Sequence, residues 1–259
     1  MKDYVTPSQR VGITEAGDPA FNLNVFDHLY QANIIITKNL TDALIDKLIQ
    51  HKSKCILHLT CTGYGGTTLE PKVPNKERTH EQLLKLLDKG FPVKQIVLRI
   101  DPCIPTMNGK KTAYEVAKLF SELGITRLRF SILDMYNHVK ERFDKAGVTM
   151  PYVSFHASDY SRNLFYVSMK AVAKQYGYEL EACGEPGIES KSCLSAKDIE
   201  ILGLNDKIKL VSSAGQRRSC GCPANKSELI RQGTPTRCPH ECLYCFWKDE
   251  AKKITIKRV

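Results

Sequence analysis

The sequence has no long hydrophobic run. No stretch approaches the roughly 18 consecutive apolar residues of a transmembrane helix, and polar residues follow Met1 where a secretory signal has an apolar core. Low-complexity segments are also missing. These absences predict a soluble, cytoplasmic protein with no membrane partner. The length of 259 residues suits one large α/β domain or two small ones.

Acidic residues are scarce relative to basic ones. The chain has 38 Lys and Arg residues against 28 Asp and Glu residues, for a formal net charge of +10. Residues 210–259 hold ten of the basic and four of the acidic residues, so much of the excess lies near the C-terminus. A basic region favours a polyanionic partner, and nucleic acid or a nucleotide is the predicted one. The alternative is a solvated basic surface that also binds the carboxylate of a cofactor.

Short apolar runs alternate with amphipathic stretches. The runs predict strands at residues 33–37, 55–61, 96–101, 126–132, 178–183 and 208–213. The amphipathic stretches predict helices at residues 44–49, 83–87, 116–123 and 164–172, the second after a capping box of Thr79 and Gln82. Repeated βα units indicate a parallel sheet with helical crossovers. Six units predict an α/β fold of the partial (βα)6 TIM-like barrel type, with a doubly wound open sheet as the alternative.

Two regions of this unit are distinguished. Residues 1–214 are predicted to form the barrel, and residues 215–259 a Cys-rich segment that folds back over the barrel mouth. Active sites of such barrels lie at the carboxyl ends of the strands, where polar and glycine-rich residues follow the predicted strands here. Arg127 and Arg129 alternate with apolar residues and share one face of their strand. Inside a barrel that face lines the substrate cavity, and outside it would form an ion-paired stripe.

The ten cysteines are unevenly distributed. Cys55, Cys61 and Cys103 are scattered and are predicted to be small buried apolar residues. The other seven lie after residue 180: Cys183, Cys193, Cys220, Cys222, Cys238, Cys242 and Cys245. In a chain with no export signal, clustered cysteines indicate metal binding more often than disulfides.

Three of these cysteines have a Cys-x3-Cys-x2-Cys spacing, at Cys238, Cys242 and Cys245. Three thiolates are too few for a structural zinc site, which takes four protein ligands. They can hold three irons of a four-iron cluster and leave the fourth iron open, although such clusters usually have four cysteine ligands. The alternative is a zinc site made of two of these cysteines together with Cys220 and Cys222.

This spacing, with the aromatic Tyr244 before the last cysteine, resembles the signature of the radical S-adenosylmethionine (SAM) enzymes. In that family the open iron chelates SAM. The cluster, once reduced by an electron donor of the flavodoxin or ferredoxin type, cleaves SAM to a 5′-deoxyadenosyl radical. The resemblance implies a [4Fe-4S] cluster and SAM as cofactors, with Tyr244 and Phe246 beside the adenine. His240, between the ligands, is a candidate donor to a cluster sulfur.

Other runs resemble spore photoproduct lyase and related bacterial and phage proteins. They are residues 35–39, 60–71, 98–102 and 216–222. Most radical SAM enzymes carry the Cys motif near the N-terminus, whereas here and in these relatives it lies near the C-terminus. With SAM in the mouth, Lys38 is the predicted partner of its carboxylate, and Glu70 the predicted acceptor from a ribose hydroxyl. An ion pair of Lys38 with Glu70 or Asp101 is the alternative for the buried ammonium.

Cys183 has two predicted roles. A cysteine donates a hydrogen atom in spore photoproduct lyase, and the resemblance implies this catalytic role for Cys183. Alternatively, Cys183 joins Cys193, Cys220 and Cys222 as ligands of a second centre, either a [4Fe-4S] cluster or zinc.

The predicted function is radical chemistry on a nucleobase or nucleotide, in repair or modification of DNA or RNA. Two alternatives remain at this point. One is a zinc-stapled nucleic-acid-binding domain without catalysis, and the other is a radical SAM enzyme that acts on a peptide or small metabolite.

Overall fold

One parallel sheet of seven strands forms the centre of the protein. The computed structural model describes residues 5–212, 219–230 and 238–247. The strands are β1 Val11–Ile13, β2 Ala32–Thr37, β3 Cys55–Thr60, β4 Ile96–Cys103, β5 Arg127–Ile132, β6 Glu179–Ala182 and β7 Lys226–Glu228. Every neighbouring pair is parallel. The predicted α/β class with a parallel sheet is therefore confirmed.

The strand order is β6-β5-β4-β3-β2-β1-β7. From β1 to β6 each strand lies beside the next one in the chain, which is the order of a barrel, whereas a doubly wound sheet reverses its order at a switch point. The two edge strands are β6 and β7, and pairing between them is not seen in the part of the chain that the structure describes. The carboxyl ends of all seven strands lie at one edge of the sheet, because all strands run in the same direction.

In the part of the chain that the structure describes, six α-helices follow the strands. They are α1 Asp42–Gln50, α2 Lys76–Asp88, α3 Met107–Ser121, α4 Asn137–Lys145, α5 Asp159–Tyr176 and α6 Ala196–Ile201. Side-chain caps define several of their starts: Thr41 accepts a hydrogen bond from the Leu44 backbone N–H, and such a cap contributes about 1 kcal/mol. Among the described residues, no helix combines the length and the apolarity that crossing a bilayer requires.

The two faces of the sheet bury different side chains. The outer face packs its apolar residues against α1, α2, α3 and α5, and this core includes Cys55, Cys61 and Cys103. Those three cysteines are buried among apolar side chains, as predicted, and burial raises the pKa of the Cys55 thiol to about 12. The opposite face, here called the inner face, is apolar at β1 and β2, and at β3 to β6 it carries buried polar and charged side chains beside apolar ones such as Ile56 and Val97. It packs against the segment that contains α6.

Five of the six predicted strands are present. The sixth, predicted at residues 208–213, is wrong over the residues that the structure describes. Residues 208–212 are not a strand, and Ser213 lies outside the described residues. The Asn225 side chain there takes the place of a neighbouring strand: its Oδ1 accepts from Val211 N (2.7 Å) and its Nδ2 donates to Lys209 O (2.9 Å). The strands β1 and β7, each three residues long, were not predicted, because β1 is too short to stand out as an apolar run and β7 is the polar run Lys226–Glu228.

The predicted start of α2 is also wrong. The helix begins three residues before the Thr79 and Gln82 pair, because Asn75 caps it by accepting from the Arg78 backbone N–H at 2.9 Å. Thr79 lies within the helix and donates its hydroxyl hydrogen to Asn75 O. Helices α4 and α6 were not predicted. Both are short, and α4 has only two buried residues.

Candidate functional site

Residues 238–247, here called the motif segment, lie across the carboxyl ends of β1, β2 and β3. The Leu243 backbone N–H donates to Leu69 O at 3.0 Å, in the loop after β3. The Trp247 indole N–H donates to Glu15 O at 3.3 Å, just after β1. Arg142 of α4 donates to the carbonyls of Cys245 and Trp247, both at 2.5 Å. These contacts hold the three motif cysteines at the carboxyl ends of the strands, where parallel α/β proteins place their active sites.

Asp18 ties the motif segment to the end of β2. One carboxylate oxygen accepts from the Thr37 hydroxyl at 2.7 Å, and the other accepts from Lys38 N at 2.8 Å. That second oxygen is also 2.8 Å from His240 Nε2, and His240 Nδ1 is 3.2 Å from Lys72 O. Both ring nitrogens of His240 thus face protein oxygens.

A buried ion pair lies beneath the motif segment. Lys38 Nζ is 2.6 Å from Glu70 Oε1, so the predicted alternative of a Lys38–Glu70 pair is the one the structure contains. The Tyr244 hydroxyl donates to the same oxygen, and the Thr62 hydroxyl donates to the other at 2.6 Å. Glu70 therefore receives hydrogen bonds at both oxygens and does not depend on a ribose hydroxyl for them.

The ion pair keeps both partners charged. Burial by itself would raise the pKa of Glu70, but Lys38 and the hydroxyl donors outweigh it and lower that pKa. Burial would likewise lower the pKa of Lys38, and the Glu70 carboxylate outweighs it and raises that pKa. The charged ammonium also lies 3.3 Å from the Tyr244 hydroxyl oxygen. An ammonium has three N–H donors, and two of them meet partners among the described residues, so within that part of the chain one remains for a ligand carboxylate.

The three motif thiols lie near enough to influence one another electrostatically. Burial, followed by the charges of Glu70, Cys245 and Cys238, raises the pKa of Cys242 to about 12 despite the opposing charge of Lys38. Burial raises the pKa of Cys238 to about 11. Three neighbouring thiols have the donor chemistry of a cluster site. Within the described ranges, however, no three His, Cys, Asp or Glu side chains already surround a metal position.

The two aromatic candidates occupy different environments. Tyr244 is buried in a cluster with Met135, Val139 and Phe143, and its hydroxyl is used by Glu70. Phe246 is half exposed and tilts against Trp247 with ring centroids 4.8 Å apart. Of the two residues predicted to lie beside an adenine, Phe246 is therefore the more exposed.

Arg127 and Arg129 do share one face, which is the inner face, but they are buried in ion pairs rather than lining an open cavity. Glu181 Oε1 accepts from Arg127 Nη2 at 3.0 Å, and Glu181 Oε2 accepts from Arg129 Nε at 3.0 Å. Asp198, in α6, pairs with Arg127 at 2.6 Å. The interpretation of this face as a substrate cavity is wrong for these two residues, because α6 covers it.

The cysteines predicted for a second centre meet on the same face. Cys183 directly follows β6, and its sulfur is 3.6 Å from the sulfur of Cys193. The Cys193 backbone N–H donates to the Cys222 sulfur at 3.4 Å. Cys220 is partly buried against the same apolar cluster. Arg217 and Arg218, which precede Cys220 in the sequence, lie outside the described residues.

Two residues of the site were missed in the sequence. Asp18 precedes a proline, and in the sequence it indicates only the start of a short helix. It does cap the short helix Pro19–Phe21. Its link to His240, 222 positions away, has no local signal. Arg142 lies on the unpredicted helix α4, whose polar composition gave no reason to place it beside the motif segment.

Comparison with known protein families gives one match. The family described as a domain of unknown function, DUF1848, matches residues 26–247. The chain belongs to the DUF1848 family. The matched range contains Lys38, Glu70 and all ten cysteines, whereas Asp18 lies before it. None of the curated proteins matches this DUF1848 chain.

The Tyr244 hydroxyl is expected to help hold the motif segment in place. Tyr244→Phe keeps the ring packing but removes one donor to the buried Glu70 carboxylate, so we expect a loss of about 1–2 kcal/mol in the free energy of unfolding. Urea unfolding measures it. Tyr160→Phe at an exposed tyrosine serves as the control and should change stability by less than about 0.5 kcal/mol. Equal stability of the two variants would show that the Tyr244–Glu70 bond does not contribute.

Proposed function

We propose that this protein is a radical SAM enzyme that acts on a nucleobase or nucleotide. The observation that supports the proposal most strongly is the position of the motif segment. It places Cys242 at the carboxyl ends of the strands, within electrostatic range of the buried Lys38–Glu70 pair. In this proposal the sheet curves as a partial barrel and the motif segment lies over its mouth. The thiol ligands stay reduced in the cytoplasm, and a flavodoxin or ferredoxin supplies electrons.

The residues have distinct roles in this proposal. Cys238, Cys242 and Cys245 hold a [4Fe-4S] cluster, which when bound supplies the electron that cleaves SAM to the 5′-deoxyadenosyl radical. Lys38 orients the carboxylate of SAM with its remaining N–H donor, and Glu70 keeps that ammonium charged and fixed. Phe246 offers its exposed ring face to the adenine. Asp18 and Arg142 position the motif segment by bonding His240 and the backbone of Cys245.

Iron content and colour distinguish this function from the zinc-stapled binding domain. Protein purified without oxygen should be brown and bind about four irons at the three motif cysteines. Cys238→Ala in the same preparation should lose the iron, and Cys61→Ala, a buried cysteine of the outer core, should keep it. A colourless protein whose zinc is lost with Cys238 would support the binding domain and contradict the enzyme.

The charge of the protein supports a polyanionic substrate. Each phosphate neutralised by Lys or Arg adds about −0.7 to −0.9 to the slope of log affinity against log salt. Contacts from Arg217, Arg218 and Arg231, which lie outside the described residues, would give a slope of about −2 to −3 for an oligonucleotide. Fluorescence anisotropy between low and high salt measures the slope. A flat dependence would favour a peptide or a small neutral metabolite.

A further inference from the structure

Three thiols connect the two edges of the sheet. Cys183 directly follows the edge strand β6, Cys222 lies shortly before the other edge strand β7, and Cys193 lies in the connection between them. The Cys193 sulfur is 3.6 Å from the Cys183 sulfur, and the Cys193 backbone N–H donates to the Cys222 sulfur at 3.4 Å. All three are buried: the exposed fraction is 7% for Cys183, 3% for Cys193 and 4% for Cys222. The three sulfurs do not form a finished ring of ligands, and among the described residues no group of three or more His, Cys, Asp or Glu side chains is already arranged to hold a metal ion.

Buried nitrogen atoms of two arginines and a histidine, without hydrogen-bond partners among the described residues, lie within electrostatic range of these thiols. Arg99 has two buried nitrogens, Nε and Nη1, and Arg129 has one, Nη1, without a hydrogen-bond partner among the described residues. Both ring nitrogens of the buried His58 are also without one. Arg129 holds the neighbour of Cys193 by donating to Ser192 O at 2.7 Å. Unpaired buried donors are unfavourable by about 1–3 kcal/mol each, so this arrangement indicates that anionic sulfur is the missing acceptor.

We propose that Cys183, Cys193 and Cys222, with Cys220 as the fourth ligand, bind one zinc ion that joins the two edges of the sheet. A zinc ion with four thiolate ligands carries about two net negative charges, and these charges balance the positive charges of Arg99 and Arg129. Binding releases the thiol protons to solvent and oxidises nothing. The Cys193–Cys222 backbone hydrogen bond at 3.4 Å already supplies one donor to a ligand sulfur. The proposal is independent of the radical SAM function.

The sulfur spacing favours one ion over an iron–sulfur cluster. Two thiolates on a tetrahedral zinc, each at ~2.3 Å from the metal, stand about 3.8 Å apart. The Cys183 and Cys193 sulfurs are 3.6 Å apart, close to that value and too far apart for a disulfide, whose sulfurs are at ~2.05 Å. A cubane places irons and bridging sulfides between its ligand thiolates and therefore needs them farther apart. Of the two second centres that the sequence allows, the geometry points to zinc.

Metal analysis of full-length variants tests the site. The background is Cys238→Ala, Cys242→Ala and Cys245→Ala, which removes the motif ligands. We expect this protein to retain about one zinc per chain by mass spectrometry of the metal. Adding Cys193→Ala should abolish the zinc, and adding Cys55→Ala, at a buried cysteine of the outer core, should not.

A second measurement covers the case in which Cys193→Ala fails to fold. Cd²⁺ is exchanged into the folded background protein, and its thiolate-to-metal absorption should show four thiolate ligands. Absence of zinc from the background protein, zinc that survives Cys193→Ala in a folded protein, four irons in its place, or a Cys183–Cys193 disulfide in the intact mass would each overturn the proposal. If the motif variants lose iron and retain zinc, both proposals stand. If the wild-type protein holds zinc but no iron at the motif cysteines, only the proposed function is contradicted.

Discussion

Cys242→Ala is expected to abolish 5′-deoxyadenosine formation while the fold is retained. The substitution removes one of only three protein ligands, so the proposed cluster loses an iron site that no neighbouring residue replaces. Cys242 is largely buried beside Tyr244, and losing one sulfur atom from this edge of the core changes stability by about 1 kcal/mol or less. Anaerobic incubation with dithionite and SAM, followed by chromatography of the nucleosides, measures the effect.

A matched variant separates ligand loss from general damage. Cys61 follows β3 at the same edge of the sheet but faces the outer core, so Cys61→Ala should cleave SAM at close to the wild-type rate. Circular dichroism of both variants should overlay that of the wild type. SAM cleavage by Cys242→Ala at the wild-type rate would show that Cys242 is not a ligand.

Glu181→Gln is expected to destabilise the protein by about 3–5 kcal/mol, because it leaves two buried arginines without their shared carboxylate. Arg127 keeps Asp198, whereas the partners of Arg129 among the described residues are Glu181 and the Ser192 backbone carbonyl. Glu179→Gln is the control on the same strand. Glu179 pairs with Lys197 at the surface, where the loss should be below about 1 kcal/mol. Similar losses for both variants would contradict the role given to the buried network.

The difference between wild type and Glu181→Gln should depend on pH. Burial by itself would raise the pKa of Glu181, but Arg129 and Arg127 outweigh it and lower that pKa below the ordinary value of 4.5. A carboxylate with a lowered folded-state pKa stabilises fully above its unfolded pKa, and the contribution is lost as the pH falls through the folded value. Urea unfolding should therefore give a constant difference above about pH 5.5 and a shrinking one below pH 4.5. A difference that is constant down to the acid limit would exclude this linkage.

The repeating βα units of the fold were predictable from the sequence, and the short strands β1 and β7 were not. Strands β2 to β6 are apolar runs bounded by turn residues, so period and length identify them. Strands β1 and β7 consist of three residues each and are held by backbone pairing: β1 lies between β2 and β7, and its pairing with β7 joins positions more than two hundred residues apart. The predicted strand at residues 208–213 failed because an asparagine side chain, not a strand, satisfies its backbone.

The residues of the candidate site also fall into a group that the sequence predicts and a group that it does not. The Cys spacing marks the motif segment, and the strand-end rule marks Lys38 and Cys183, because both signals are local. The roles of Asp18, Arg142 and Glu181 depend on contacts across the fold and have no local signal. Arg127 and Arg129 show the limit of pattern reasoning. Their alternation identifies a shared face, but only the placement of α6 shows that this face is closed.

The most direct test of the central claim is the detection of 5′-deoxyadenosine. Wild-type protein is reconstituted with iron and sulfide, reduced without oxygen and incubated with SAM, and the products are separated and identified by mass. The account predicts 5′-deoxyadenosine in amounts above those of the Cys242→Ala protein handled in parallel. A wild-type preparation that holds its full iron but forms no more 5′-deoxyadenosine than the variant would contradict the account.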